Sequence, residues 1–183
     1  MDRLTPVVFT DAWGSHVSIA SLQGRDIPSA QRESELWMGA HEGGPSITDR
    51  PGAPDLASVI ATDAVAELGA DCVDRFGPRL PFLLKVLAPG RAISIQAHPT
   101  AERASAVRAT TGDAVYVDDW AKPELLLALA PFEVFVGMRT HAEVVELAER
   151  LRVPRFTAIV ERASAAPDPV HAVLADVLDA GLD

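Results

Sequence analysis

The chain has one cysteine, Cys72, so no internal disulfide can form and nothing in the sequence asks for an oxidising compartment. Lysine is nearly absent. Lys85 and Lys122 are the only two, and arginine supplies the remaining positive charges. Aromatic residues make up 5% of the chain. No apolar run approaches the ~18 residues of a membrane span. The opening Met1-Asp2-Arg3-Leu4-Thr5-Pro6 has no long apolar core of the kind a signal peptide carries. These absences predict a cytoplasmic chain with no membrane partner. Net positive charge is lacking too: the formal charge is -10 and the sequence pI is about 4.9. Such an envelope repels phosphate backbones and excludes nucleic acid as a natural partner. An anionic small molecule would need a local basic pocket.

Hydrophobic residues make up 48% of the 183 residues and charged residues 23%. That is ordinary for a globular chain and enough to bury a core, in one domain or one plus a piece of another. Residues 1–55 are turn-rich, with strand-like pieces at Pro6 to Thr10 and Val17 to Leu22. Val59, Ile60, Ala64 and Leu68 recur at helical spacing, and Gly69 and Gly77 offer stops, which predicts one or two helices over 56–76. Two strand-like runs, 81–88 and 92–98, flank Pro89-Gly90 and predict a hairpin. A short helix is expected over 100–109 with Thr100 as its N-cap. The apolar run Glu124 to Val136, broken by Pro131, reads as two buried strands. His141 to Leu151 and Pro169 to Leu182 are helical in pattern, separated by Pro154 and the loop 165–169.

Side chains alternate along a strand, so a strand over 92–98 would put Ser94, Gln96 and His98 on one face and Ile93, Ile95 and Ala97 on the other. Same-face neighbours lie about 6.5 Å apart, close enough for such side chains to converge on one ion. A solvated amphipathic face gives the same alternation. Lys122 and Glu124 share the i, i+2 relation at the head of the apolar run, and two charges at a strand end are equally easy to solvate there. Spacing does not say whether the two segments meet. If they do, imidazole nitrogen and carboxylate oxygen are donors zinc accepts, and a neutral Gln carbonyl would leave more of the ion's charge to polarise a bound oxygen.

Five stretches occur together in order: Ala12-Trp13-Gly14-Ser15, Glu35-Leu36-Trp37-Met38-Gly39-Ala40-His41, Leu80-Pro81-Phe82-Leu83-Leu84-Lys85-Val86-Leu87, Ser94-Ile95-Gln96-Ala97-His98-Pro99 and Lys122-Pro123-Glu124-Leu125. Together they closely resemble the type I mannose-6-phosphate isomerases over most of residues 8–139. The resemblance implies a mainly β fold: a cupin-like jelly-roll barrel, incomplete here, with a helical insertion near 56–76 over residues 1–139. Residues 140–183 would then begin a helical domain. It implies interconversion of mannose 6-phosphate and fructose 6-phosphate through a cis-enediol, assisted by one zinc ion. Carried over, the metal ligands are Gln96, His98 and Glu124. Ser94 and Lys122 are catalytic and substrate-binding residues, and Trp13 and Glu35 lie near the substrate. Lys122 is open to three roles: acid–base group, phosphate contact, or structural ion pair. Trp13 serves either in packing or in substrate contact, and Glu35 is open to pairing with an arginine. His41, His141 and His171 read as surface or helix residues.

The sequence departs from that pattern in two places. The family's Asn-Tyr-x-Asp-Asp-x-His-Lys-Pro-Glu is here Val115-Tyr116-Val117-Asp118-Asp119-Trp120-Ala121-Lys122-Pro123-Glu124, without the Asn and the His. The family's fourth zinc ligand and its catalytic Arg are expected beyond the helical tail, so a truncated chain or a fragment is expected. The rival expectation is a catalytically inactive cupin-like remnant that binds a metal or a sugar phosphate.

Overall fold

A computed structural model of the chain describes residues 2–112, 115–116 and 118–180. Val117 and the expected helix end at Leu182 lie outside the described residues. The chain divides into two compact units, residues 1–96 and 97–183.

The first unit is built on two small antiparallel sheets. In one, β1 (Leu4–Thr5) pairs with β4 (Ile47–Thr48). In the other, β3 (Glu35–Met38) lies between β2 (Val7–Phe9) and β5 (Leu84–Leu87), in the order β2-β3-β5. Its register sets Val8 opposite Leu36 and Leu36 opposite Val86, an apolar row across all three strands. Helix α1 (Ser18–Leu22) closes one face of this sheet: Ile19, Leu36 and Ala88 are buried together, with Val8, Met38 and Val86 packed around them. The strand expected over 17–22 is therefore a helical turn. Six residues are too few to separate the two periodicities, and burial of Ile19 on the sheet decides.

Three short helices, α2 (Leu56–Thr62), α3 (Ala64–Leu68) and α4 (Ala70–Phe76), occupy the stretch where helical spacing predicts one or two. Asp55 and Asp63 accept the Ser58 and Ala66 N–H groups as N-caps of α2 and α3. Gly69 and Gly77 end α3 and α4 with positive φ, at 86° and 81°.

The hairpin expected across Pro89-Gly90 does not form. The Ser15 N–H donates to the Ala88 carbonyl and the Gly90 N–H to the Trp13 carbonyl, so this segment pairs antiparallel with the Trp13–Ser15 backbone instead of reversing along β5. Gly90 makes this close approach possible, because a Cβ there would stand 2.8 Å from the Gly14 carbonyl oxygen. Residues 92–98 carry no strand, and Ile95 is 92% exposed.

In the second unit, α5 (Ala101–Thr111) starts where expected, with Thr100 accepting the Arg103 N–H. The run 124–136 forms no strand and is not buried: Leu125, Leu127, Phe135 and Val136 are all largely exposed. Apolar composition predicted burial, but the described residues supply no ladder partner. Helices α6 (His141–Leu151), α7 (Pro154–Ala163) and α8 (Pro169–Asp179) bury Val144, Ala148, Ile159, Val160, Ala163 and Val173 against one another. Pro154 was expected to separate helices and instead opens one at N1, where its missing N–H costs nothing. Arg162 bonds Asp176 at 2.7 Å and ties α7 to α8.

Helices outnumber strands, eight to five among the described residues, which does not support the expectation of a mainly β fold. No helix of the described residues is long and apolar enough to cross a membrane.

Candidate metal centre

In the second unit, His98 Nε2 stands 3.0 Å from Glu124 Oε2, and Lys122 Nζ stands 3.8 Å from Glu124 Oε1. One carboxylate thus faces an imidazole on one oxygen and an ammonium on the other. His98 is the better buried partner, its side chain 23% exposed against 41% for Glu124.

The local sequence explains how two irregular segments hold these groups. His98 and Lys122 each precede a proline, and proline's Cδ keeps the residue before it out of helical backbone. Directly after Pro99, the Thr100 cap fixes the start of α5. At that same helix start Glu102 is held below the usual carboxylate range by bonds from its own backbone N–H and from Thr100. The Lys122 N–H donates to the Pro99 carbonyl at 3.3 Å, joining the two segments beside the ligand candidates.

The donor set fits zinc. Bond lengths of about 2.0–2.2 Å in a tetrahedral site put neighbouring donor atoms ~3.3 Å apart, close to the His98–Glu124 approach. No cluster of three or more His, Cys, Asp or Glu side chains converges to hold a metal among the described residues. The sequence also offers a neutral oxygen donor in Gln96, two residues before His98 in the chain.

Ser94 and Gln96 are exposed and lie in the irregular end of the first unit, so the strand alternation expected to align them with His98 is not present. Glu35 lies on β3, where its carboxylate accepts the Trp37 ring N–H and stands 3.7 Å from Lys85 Nζ on β5. The partner is a lysine and not the arginine considered above. The register sets Glu35 opposite Leu87 and Lys85 opposite Trp37, so the ion pair runs diagonally between neighbouring strands. Rarity and its place in the Leu80–Leu87 stretch single out Lys85 in the sequence, and the strand register is what gives it Glu35 as a partner. Trp13 is half-buried, and its carbonyl is tied to Gly90.

His41, His141 and His171 take structural positions. His41 Nδ1 accepts the Gly43 N–H, and its ring meets the Trp37 ring edge-on. His141 opens α6, where its Nε2 bonds the Ser164 hydroxyl, and His171 lies in the first turn of α8.

A family model described as phosphomannose isomerase type I, catalytic domain, matches residues 1–141. The mannose-6-phosphate isomerase of Escherichia coli is 37% identical over 159 residues, which cover 80% of this chain and 40% of that protein. The mannose-6-phosphate isomerase of Saccharomyces cerevisiae is 35% identical over 154 residues, covering 80% and 35% respectively. Among solved structures, a mannose 6-phosphate isomerase bound with zinc and yttrium superposes with a TM-score of 0.71 at 30% identity, over 98% of this chain and 52% of that one. A mutant of phosphomannose isomerase from Salmonella typhimurium gives the same TM-score over 100% of this chain and 53% of that one. The chain thus spans about 40% of the length of these bacterial and yeast relatives and about half of the solved chains. With three quarters of its residues inside the match, the chain belongs to the phosphomannose isomerase type I family.

Proposed function

We propose that this chain carries part of a zinc-assisted aldose–ketose isomerase site that interconverts mannose 6-phosphate and fructose 6-phosphate. The observation that carries the reading is the 3.0 Å approach of His98 to Glu124, with Lys122 at the same carboxylate. The names of the relatives supply the substrate.

In this reading Gln96, His98 and Glu124 hold the zinc. When bound, zinc supplies positive charge that stabilises the oxyanion developing as the C2 proton leaves. Lys122 presents an ammonium beside the site, placed to contact phosphate or to move a proton between the substrate oxygens. Ser94 offers a hydroxyl to the sugar. Trp13 and Glu35 line the substrate, and Glu35 is steadied by the Trp37 N–H and by Lys85. The same reading takes the short strands as pieces of a cupin-like barrel over residues 1–139, with a helical domain beginning at 140. It places the protein in the cytoplasm.

Zinc content and the conversion of mannose 6-phosphate test the proposal together. Purified chain is expected to hold one zinc and to yield fructose 6-phosphate. His98→Ala is expected to lose the metal, and so is Gln96→Ala. Zinc without product would replace the isomerase with a metal-binding cupin-like remnant. A His98→Ala chain that kept its zinc would remove His98 from the ligand set.

A further inference from the structure

We infer that the backbone N–H of Lys122 is a positioning group for the metal ligands: its bond to the Pro99 carbonyl sets His98 and Glu124 against each other. The inference rests on the metal reading above and names a contact within it. His98 is the residue before Pro99, and Glu124 lies two residues after Lys122. The bond therefore joins the two segments immediately beside the two ligands, across the whole of α5.

The side chain of Lys122 is a weaker candidate for this task. Its ammonium is 3.8 Å from Glu124, too far for a hydrogen bond, and the side chain is 56% exposed. Exposed pairs of that kind contribute little. The backbone donor is also well placed by elimination. Pro123, between Lys122 and Glu124, has no N–H to offer, and residues 120–138 carry no helix or strand. Groups that orient metal ligands typically change metal affinity 10- to 100-fold when removed.

Two substitutions separate the backbone from the side chain. Lys122→Ala removes the ammonium and keeps the N–H. Lys122→Pro removes both. Lys122 precedes a proline, which keeps its backbone out of the helical region, so a second proline there interrupts no helix. Zinc affinity of the whole chain is measured by chelator competition, and the site geometry by the visible absorption of the cobalt(II) form. Lys122→Ala is expected to weaken zinc less than about fivefold. Lys122→Pro is expected to weaken it at least about tenfold further and to alter the cobalt spectrum. Equal affinities in the two variants would overturn the inference.

Amide exchange of Lys122 in the unsubstituted chain decides the matter even where a variant fails to fold. The N–H is expected to be protected, and more so with zinc bound, since coupling between the two is reciprocal. An amide that exchanges at the rate of an unstructured chain in the zinc-loaded protein would overturn the inference. If the unsubstituted chain takes up no zinc, the metal reading fails, and protection of Lys122 in the metal-free chain still reports whether the tie exists.

Discussion

Gly14 is needed for close approach. A Cβ at this position would meet the Glu33 carbonyl oxygen and the Ser34 nitrogen at 2.7 Å each. Those atoms belong to the backbone entering β3 and cannot swing aside. Gly14→Ala is therefore expected to cost about 1–3 kcal/mol, read as a lower urea midpoint at an unchanged m-value. Thr140 and Glu143 show a different kind of single-residue control. They form a capping box at the start of α6, with the Thr140 hydroxyl and the Thr140 N–H both donating to the Glu143 carboxylate. Those two bonds hold the Glu143 carboxyl below the ordinary glutamate range. A carboxylate depressed in the folded state stabilises above its unfolded value, about 4.3, and the contribution fades as pH falls through the lower folded value. Helicity at the start of α6 is thus expected to loosen below about pH 4. Glu143→Gln should flatten that dependence, with far-UV circular dichroism between pH 6 and 3 as the measurement. Thr140→Ala is expected to cost about 1 kcal/mol at neutral pH.

At the scale of elements, the helices were the readable part. Thr100 before α5, Thr140 with Glu143 before α6, and Asp168-Pro169 before α8 are start signals that owe nothing to the rest of the fold. The helix α7 carried the same kind of signal in Val153-Pro154, but proline read as a separator hides it. Strands fared worse because a strand exists only with a partner. The alternation of 92–98 and the apolar run of 124–136 satisfy the sequence rule for strands, yet neither has a ladder among the described residues. Conversely, β3 went unread although it is the central strand of its sheet. The candidate site divides in the same way. Each half is visible as a short motif, Gln96-Ala97-His98-Pro99 and Lys122-Pro123-Glu124, but the meeting of His98 with Glu124 is tertiary, and no spacing rule contains it. The helical unit offers the cleanest energetic test of an element. Ile159 on α7 is 6% exposed and buried among α6 and α8 residues. Ile159→Ala is expected to destabilise this unit by about 2–4 kcal/mol, read as a drop in helical melting temperature. A change under about 0.5 kcal/mol, the usual range for surface positions, would show that the three helices do not share a core.

At the scale of the whole molecule, two properties act in opposition. The net charge of -10 keeps copies apart in neutral solution. The segment 125–136 draws them together: Leu125 is 98% exposed, Phe135 91% and Val136 85%. A soluble chain seldom leaves so many large apolar side chains uncovered in one short segment. Their attraction does not vary with pH, whereas the repulsion vanishes near the isoelectric point, about 4.9. Association of the purified chain should therefore be weakest above pH 7 and rise steeply toward pH 5. It should respond to added salt in the same direction, because screening shortens the reach of the repulsion. Leu125→Ser, Leu127→Ser and Val136→Ser together should reduce both the association and the binding of a hydrophobic dye. The helical circular dichroism should stay unchanged, since none of the three belongs to the α6–α8 core. Light scattering and dye fluorescence across pH 5–8 measure both. If the triple variant bound dye as strongly as the parent chain, the apolar surface would have to lie elsewhere. If it instead lost helical signal, residues 125–136 would be packing against structure that their exposure denies.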